Sequence, residues 1–391
     1  DETILGSSST GTGSMTVTGS GSTLTSGNLM KIGAGGTGTL TIADSGAVSV
    51  TNNKNVLIAD SSGSNGTLNV NTNSTLSSYR LYVGNLGTGA MTISGGADVT
   101  SSDETIVGST NTSNGSLTVT GSGSTLNAGS FLKVGNSGTG TMTIADSAAV
   151  TVNNNKDLYV GAASGSNGTL NVNTNATISA YKLFVANNGT ANMTVDGSAD
   201  VSTANNVIIG SASTGNGNLT VTGSGTTLTV GGELKSGVNG TGSLTISDSA
   251  VVTVNNNKNM FVGQSQGSNG TLNVLTGATL NANKLVVANE GTGTMTISGG
   301  ADVTASNEVN LGSGSNGVGT MTVTGSGSTL VSGNQLKVGI NGGTGTLEIK
   351  DSATVTVNND KDTWLGQNSG SSGTLNINSG ATLNANKFLI G

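Results

Sequence analysis

The sequence predicts an all-β fold, a right-handed parallel β-helix or three-sided β-solenoid of about 15 coils. Three observations predict it: a composition dominated by glycine and small polar residues, a repeat of 102 residues, and short runs in which aliphatic and polar residues alternate. Such a composition is typical of a disordered chain or of a repeat architecture. Disorder requires low hydrophobicity with high charge, whereas 33% of this chain is hydrophobic and 8% is charged. Repetition is therefore the better interpretation.

The long repeat shows in recurring acidic residues. Asp103-Glu104-Thr105 restates Asp1-Glu2-Thr3, and Asp44, Asp146 and Asp248 follow one another at intervals of 102 residues. The predicted super-repeats are 1–102, 103–204, 205–306 and 307–391. We expect them to form one solenoid domain over 1–391, itself a fragment of a longer chain.

Each super-repeat contains four related units of 22–28 residues. Every unit has an apolar run such as 81–84, a glycine-rich turn, an alternating run such as 91–94, a second turn, and a third run such as 97–100. Alternation with period two marks half-buried strands, and Gly, Asn and Ser form the turns between them. Three strands per coil stack on their equivalents in the next coil as three parallel sheets, for which right-handed winding is the default.

The alternating runs also predict a narrow aliphatic core. Stacked side chains suit such a core, because the chain has only four Phe, four Tyr and one Trp to fill a wider interior. The predicted inward columns are Leu40, Leu68, Met91, Leu117 and Met142, with Ile42, Val70, Ile93, Val119 and Ile144 beside them.

Charge and composition exclude several classes of function. The net charge is −7 and the basic residues are scattered, so we expect no nucleic-acid partner. No apolar stretch approaches the ~20 residues that span a bilayer, so we expect no membrane insertion by this segment. We also expect no cofactor.

Catalysis is disfavoured by the residue types. The chain has no His and no Cys, which removes triads and metal sites that need either residue. The acidic residues recur once per super-repeat, so equivalent carboxylates lie ~19 Å apart in stacked coils, too far for a catalytic pair. Calcium turns of the Gly-Gly-x-Gly-x-Asp type are not repeated from coil to coil either, although 299–302 resembles one. We predict a protein that is not an enzyme and holds no metal.

Two outward ladders remain as candidate surfaces. One follows the middle strands and consists of Thr and Asn, as at Thr41, Asn69 and Thr92, which we interpret as stabilising the stack. Ice binding and glycan binding are less favoured interpretations of this ladder. The other follows the first strands and mixes aromatic, aliphatic and lysine side chains, a pattern that marks association sites. An alternative is that these side chains pack beneath long turns or face inward. The candidate binding residues on this ladder are Lys31, Tyr82, Lys133, Tyr159, Phe184, Lys235, Phe261, Lys337 and Trp364.

The repeat resembles a known family. Residues 81–100, with the sequence LYVGNLGTGAMTISGGADVT, are similar to the Gly/Thr-rich repeats of bacterial autotransporter passenger domains, the type V secretion adhesins. The resemblance covers nearly the whole chain and implies an exported surface protein, often adhesive or self-associating. We therefore expect a secreted or cell-surface location, with outer-membrane anchoring through regions outside this sequence.

The function hypothesis is a non-enzymatic adhesin that mediates adhesion, aggregation or biofilm formation through repeated lateral contacts. Its partners would be a second copy of the chain or a host or matrix glycan or protein. The main alternative is a passive stalk or a filament assembled head to tail. A carbohydrate-active β-helix enzyme is the third hypothesis, and it would require a cluster of acidic residues that breaks the repeat.

Overall fold

The computed structural model describes residues 1–153, 155–255, 257–358 and 361–391. The described residues form 46 β-strands and no helix. They divide into two compact units, the first comprising 1–193 with 199–201 and the second comprising 194–198 with 202–391. Among the described residues, no segment forms a helix able to cross a membrane.

In the first unit the chain visits three parallel sheets in turn, so that every third strand pairs with the next of its kind. The first sheet contains β1 (Thr3–Leu5), β4 (Met30–Ile32), β7 (Val56–Ile58), β10 (Leu81–Val83), β13 (Thr105–Val107), β16 (Leu132–Val134), β19 (Leu158–Val160) and β22 (Leu183–Val185). The second contains β2 (Thr12–Thr18), β5 (Thr37–Ala43), β8 (Asn65–Val70), β11 (Thr88–Ile93), β14 (Asn114–Thr120), β17 (Thr139–Ala145) and β20 (Asn167–Val172). The third contains β3 (Thr23–Ser26), β6 (Ala47–Val50), β9 (Thr75–Ser78), β12 (Asp98–Ser101), β15 (Thr125–Ala128), β18 (Ala149–Val152) and β21 (Thr177–Ala180).

The second unit repeats this arrangement. Its first sheet contains β25 (Val207–Ile209), β28 (Leu234–Ser236), β31 (Asn259–Val262), β34 (Lys284–Val287), β37 (Val309–Ser313), β40 (Leu336–Ile340), β43 (Asp362–Gln367) and β46 (Lys387–Ile390). Its second contains β26 (Asn216–Thr222), β29 (Thr241–Ser247), β32 (Asn269–Val274), β35 (Thr292–Ile297), β38 (Val318–Thr324), β41 (Thr344–Lys350) and β44 (Ser372–Ile377). Its third contains β27 (Thr227–Val230), β30 (Val251–Val254), β33 (Thr279–Ala282), β36 (Asp302–Ala305), β39 (Thr329–Ser332), β42 (Thr354–Val357) and β45 (Thr382–Asn384). Two further strands, β23 (Thr190–Val195) and β24 (Asp200–Thr203), contain residues of both units.

These strands confirm the predicted fold class. Three consecutive strands make one coil, and all register pairs of the two units are parallel, as in Leu40 with Leu68 and Leu68 with Met91. The right-handed winding and the division into 102-residue super-repeats remain predictions.

The core is the predicted stack of aliphatic side chains. All ten residues of the two predicted inward columns are at most 2% exposed. Burial alternates along most strands of the second and third sheets, such as β17, so one face of the strand contributes to the core and the other lies outside. Burial of apolar surface at ~25 cal/mol per Å² is the main stabilising contribution to such a stack.

Four of the recurring acidic residues lie in turns. Asp44, Asp146, Asp248 and Asp351 all have positive φ, between 51° and 56°, in the turn that follows a second-sheet strand. Each accepts a hydrogen bond from a Thr hydroxyl one coil earlier, at 2.7–3.0 Å. Asp tolerates this left-handed conformation better than most residues, which explains its recurrence.

Candidate functional site

The first-strand stripe is the set of outward positions at the middle of the first-sheet strands. Parallel pairing aligns these positions one above another, as predicted. In the first unit they are Ile4, Lys31, Leu57, Tyr82, Ile106, Lys133, Tyr159 and Phe184. In the second unit they are Ile208, Lys235, Phe261, Val286, Asn310, Lys337, Trp364 and Leu389.

The stripe is not continuously exposed. All nine candidate binding residues are half-buried. Four positions between them are buried: Leu57 at 9%, Ile106 at 4%, Val286 at 3% and Asn310 at 3% exposed. Leu57 and Ile106 are each paired on both sides with longer side chains, which explains their burial. The structure therefore divides the stripe into separate patches.

The stripe lysines are held in ion pairs, so their charges are largely compensated. The acidic partners lie in the loops that flank the first strands, and sequence reasoning missed them. The pairs are Lys31–Asp60 at 3.4 Å, Lys133–Glu104 at 2.9 Å, Lys235–Glu233 at 2.8 Å and Lys337–Glu308 at 3.0 Å.

Glu308 links two lysines of different coils. Its carboxylate lies 2.9 Å from Lys284 Nζ and 3.0 Å from Lys337 Nζ. Burial alone would raise the pKa of the Glu308 carboxyl, but hydrogen bonds from Lys284 and Lys337 outweigh it and hold the pKa below its ordinary value. The carboxylate is therefore ionised at neutral pH and fixes both lysines.

The first unit brings three aromatic rings together in an aromatic cluster, which consists of Phe131, Tyr159 and Phe184. The Tyr159 and Phe184 rings are stacked, with centroids 4.8 Å apart and an interplanar angle of 7°. Phe131 is tilted by 57° against Tyr159 at 6.0 Å. The ammonium groups of Lys133 and Lys156 lie 5.4 and 5.5 Å from the centroid of the Phe131 ring, within cation–π distance.

Tyr159 and Phe184 belong to the predicted stripe, whereas Phe131 and Lys156 do not. Both lie in the chain that enters a first-sheet strand, Phe131 directly before β16. Period-two alternation carries no information about side chains in such irregular segments. The sequence indicated the role of Phe131 only by placing an aromatic residue at a loop position that varies between super-repeats.

A shallow cavity of about 350 Å³ opens beside the cluster. It lies within the first unit. Its lining residues are Phe131, Lys133, Asn136, Tyr159, Ala162, Ala163, Asn187 and Asn188. Cavities of this size are at the lower end of the range for small-molecule sites.

Asp157 lies at the edge of the same cluster. The Tyr159 hydroxyl donates a hydrogen bond to Asp157 Oδ2 at 3.3 Å, and Oδ1 is buried. Burial raises the pKa of Asp157 above its ordinary value, although the charge of Lys182 and the Tyr159 hydrogen bond oppose the change. Burial, with the charge of Asp157, also raises the pKa of Tyr159 to about 12.

The other candidate residues form smaller patches. Lys235 Nζ lies 5.7 Å from the centroid of the Phe261 ring. Trp364 pairs with Lys337 across the sheet, and its indole Nε1 is buried without a hydrogen-bond partner. The guanidinium of Arg80, two residues before Tyr82, forms an ion pair with Asp103 at 2.7 Å, which is the main cause of its raised pKa. Tyr82 and Lys31 are separated by the buried Leu57.

The described residues offer no metal centre. Among them, no three acidic side chains lie close enough to hold a metal ion. Asp302, from the turn that resembles a calcium motif, accepts a hydrogen bond from Thr329 Oγ1 and is exposed. This contact gives the carboxylate a structural role in the solenoid surface.

Comparison with known proteins finds similarity to a solved structure. No protein-family model and no curated protein matches the chain. The crystal structure of a TibC-catalysed hyper-glycosylated fragment of TibA matches at 15% sequence identity with a TM-score of 0.27, over 98% of this chain and 100% of that fragment. A TM-score this low does not establish a common fold. The three parallel sheets of this chain themselves agree with the fold that the autotransporter resemblance implies.

Proposed function

We propose that this chain is a non-enzymatic, self-associating adhesin passenger of a bacterial cell surface, which acts through repeated lateral contacts of the first-strand stripe. The observation that carries the proposal is the aromatic cluster. Stacked, half-buried rings beside charge-compensated lysines form a surface that loses little solvation when a partner covers it.

The repeat architecture supports a role in aggregation. Each stripe patch is small, but the patches recur along the coils, so several weak contacts form at once when two chains align. A second copy of the chain is the partner that this arrangement favours. The secreted, cell-surface location and the contribution to biofilm formation follow from the same proposal.

The proposal is tested by replacing the aromatic side chains of the stripe. We expect bacterial cells that display a fourfold variant to settle at least tenfold more slowly than cells that display the parent. The variant carries Tyr159→Ser, Phe184→Ser, Phe261→Ser and Trp364→Ser. Serine removes the aromatic area that a partner would cover but leaves the inward core residues in place. Turbidity of standing cultures measures settling, and circular dichroism of the purified chain verifies the fold.

A control variant keeps the number of serine substitutions but places them on another face, where each removes only a methyl group. Thr41→Ser, Thr143→Ser, Thr245→Ser and Thr296→Ser lie on outward positions of the second sheets and are half-buried as well. This control should settle like the parent. Equal settling of parent and stripe variant would contradict the adhesin proposal and favour the passive stalk.

A further inference from the structure

We propose that the cavity beside Phe131 and Tyr159 binds a neutral carbohydrate of one or two sugar rings. The inference deepens the proposed adhesin function, on which it rests, by naming a ligand class for one patch of the stripe. Three properties of the cavity carry it: its apolar walls, its charge balance and its amide groups.

Two aromatic rings form the apolar part of the cavity. Phe131 and Tyr159 are inclined at 57°, so together they form a corner and not a flat surface. Tyr159 is held by its stack on Phe184 and by its hydrogen bond to Asp157, which restricts movement of the ring. A sugar presents C–H groups on one face, and these pack against aromatic rings, whereas its hydroxyls need polar partners.

Both lysines at the cavity are engaged in intramolecular contacts. Lys133 is ion-paired with Glu104 at 2.9 Å, and its side chain is 23% exposed. Lys156 lies over the Phe131 ring at 5.5 Å, and its charge favours the ionised form of Asp157. An anionic ligand would have to displace these intramolecular contacts to reach either lysine, so the site favours a ligand without charge.

Three asparagines supply the polar groups. Asn136 Nδ2 donates to the backbone oxygen of Ser109 at 3.1 Å, and Asn187 Nδ2 donates to that of Ala162 at 3.3 Å. These bonds orient both amides and leave their carbonyl oxygens to accept hydrogen bonds from ligand hydroxyls. Asn188 lies in the same wall. Fixed amide groups of this kind suit the hydroxyls of a sugar ring.

The site is specific to one super-repeat. At the place of Phe131 the other super-repeats carry Leu29, Glu233 and Gln335, and at the place of Asn136 the next super-repeat carries Val238. Phe261 is the counterpart of Tyr159, and Glu233 occupies the position that corresponds to Phe131, so the second ring is absent there. The second unit therefore provides a natural control within the same molecule.

The experiment uses an array of immobilised neutral oligosaccharides of hexoses and N-acetylhexosamines, together with their sialylated and sulfated counterparts. The full chain should bind at least one neutral glycan. Tyr159→Ala and Asn187→Ala should each weaken that binding at least tenfold, whereas Phe261→Ala should leave it within twofold. Asn187→Ala retains the aromatic cluster, so its loss of binding is not explained by collapse of the rings.

Several outcomes would overturn the inference: no retained neutral glycan, preference for the charged counterparts, or unchanged binding in Tyr159→Ala and Asn187→Ala. Sedimentation velocity without sugar separates this result from the adhesin proposal. If the Tyr159 variant loses self-association while the parent binds no glycan, a second copy of the chain occupies the cavity. The adhesin proposal would then stand and the carbohydrate inference would fall.

Discussion

Asp157 is a buried charge whose cost to the folded state can be measured. Its pKa is raised because burial outweighs the attraction of Lys182. The folded state therefore holds the proton more tightly than the unfolded state, so stability falls as the pH rises from the unfolded value of 3.8 through the folded pKa. The equivalent residues of two other super-repeats, Asn55 and Asn259, are neutral.

We expect Asp157→Asn to stabilise the protein at pH 7 by on the order of 0.5 kcal/mol, since solvent screens much of the charge at this half-buried position. The gain should fade as the pH falls below 3.8, where the aspartate becomes protonated in both states. Thermal unfolding between pH 3.5 and pH 7 measures it, with Asp146→Asn, at an exposed turn, run alongside as a comparison. A gain that is independent of pH would show that burial of the charge is not the cause.

Individual site residues could be predicted only in part. Alternation identified Tyr159, Phe184 and the stripe lysines, because their positions on strands fix which face they occupy. It could not identify Glu104 or Phe131, because both lie in chain segments whose length differs between coils. Exposure and burial of the stripe both stayed open at the level of the sequence, because burial depends on the lengths of neighbouring side chains in register.

Strands of the second sheets depend on a glycine near their start. At Gly168 in β20, an added Cβ would lie 2.4 Å from the Gly161 nitrogen and 2.4 Å from the Val134 oxygen. Both are backbone atoms, Val134 in β16 and Gly161 directly after β19, so the backbone must move to admit a methyl group. The corresponding residue of β23 is Ala191, which is fully buried, and it shows that such a movement is possible at a cost.

We therefore expect Gly168→Ala to lower the free energy of unfolding by about 1–3 kcal/mol, the usual cost of overpacking. The reverse change, Ala191→Gly, should lower the free energy of unfolding by no more than about 1–2 kcal/mol, because it removes one methyl group and gives the unfolded chain more conformational freedom. Urea denaturation followed by circular dichroism compares the two. A Gly168→Ala variant as stable as the parent would refute the steric argument.

Elements of this fold were predictable because one rule governs them all. Alternating runs form strands, as in β17, and most turns between them are built from Gly, Ser, Asn and Asp, as in the turn that contains Asp146. The inward columns could be predicted from the sequence, because an unbroken alternation within a strand assigns every second residue to the core. Coil lengths differ only in the turns, so they do not disturb this assignment.

The free energy of unfolding of the whole chain should be the sum of contributions from single coils and from contacts between neighbouring coils. In both units each strand pairs only with its equivalents in neighbouring coils, and no described register pair joins distant parts of the chain. Solenoids with such contacts behave as one-dimensional arrays, in which several coils suffice for folding. Residues 1–204 contain two complete super-repeats, and 205–391 contain the rest.

We expect the separate fragments 1–204 and 205–391 each to fold as a β-solenoid. Dilute samples should show β-type circular dichroism, and amide hydrogen exchange should be slow at buried core positions such as Ile144 and Val274, because the stacked neighbours that protect them are retained in each fragment. A scrambled-sequence fragment of the same composition serves as the control, and it should exchange fast. Fast exchange at the core positions of either fragment would instead mean that cooperativity extends over the whole chain, since local stacking would then be insufficient to hold a coil.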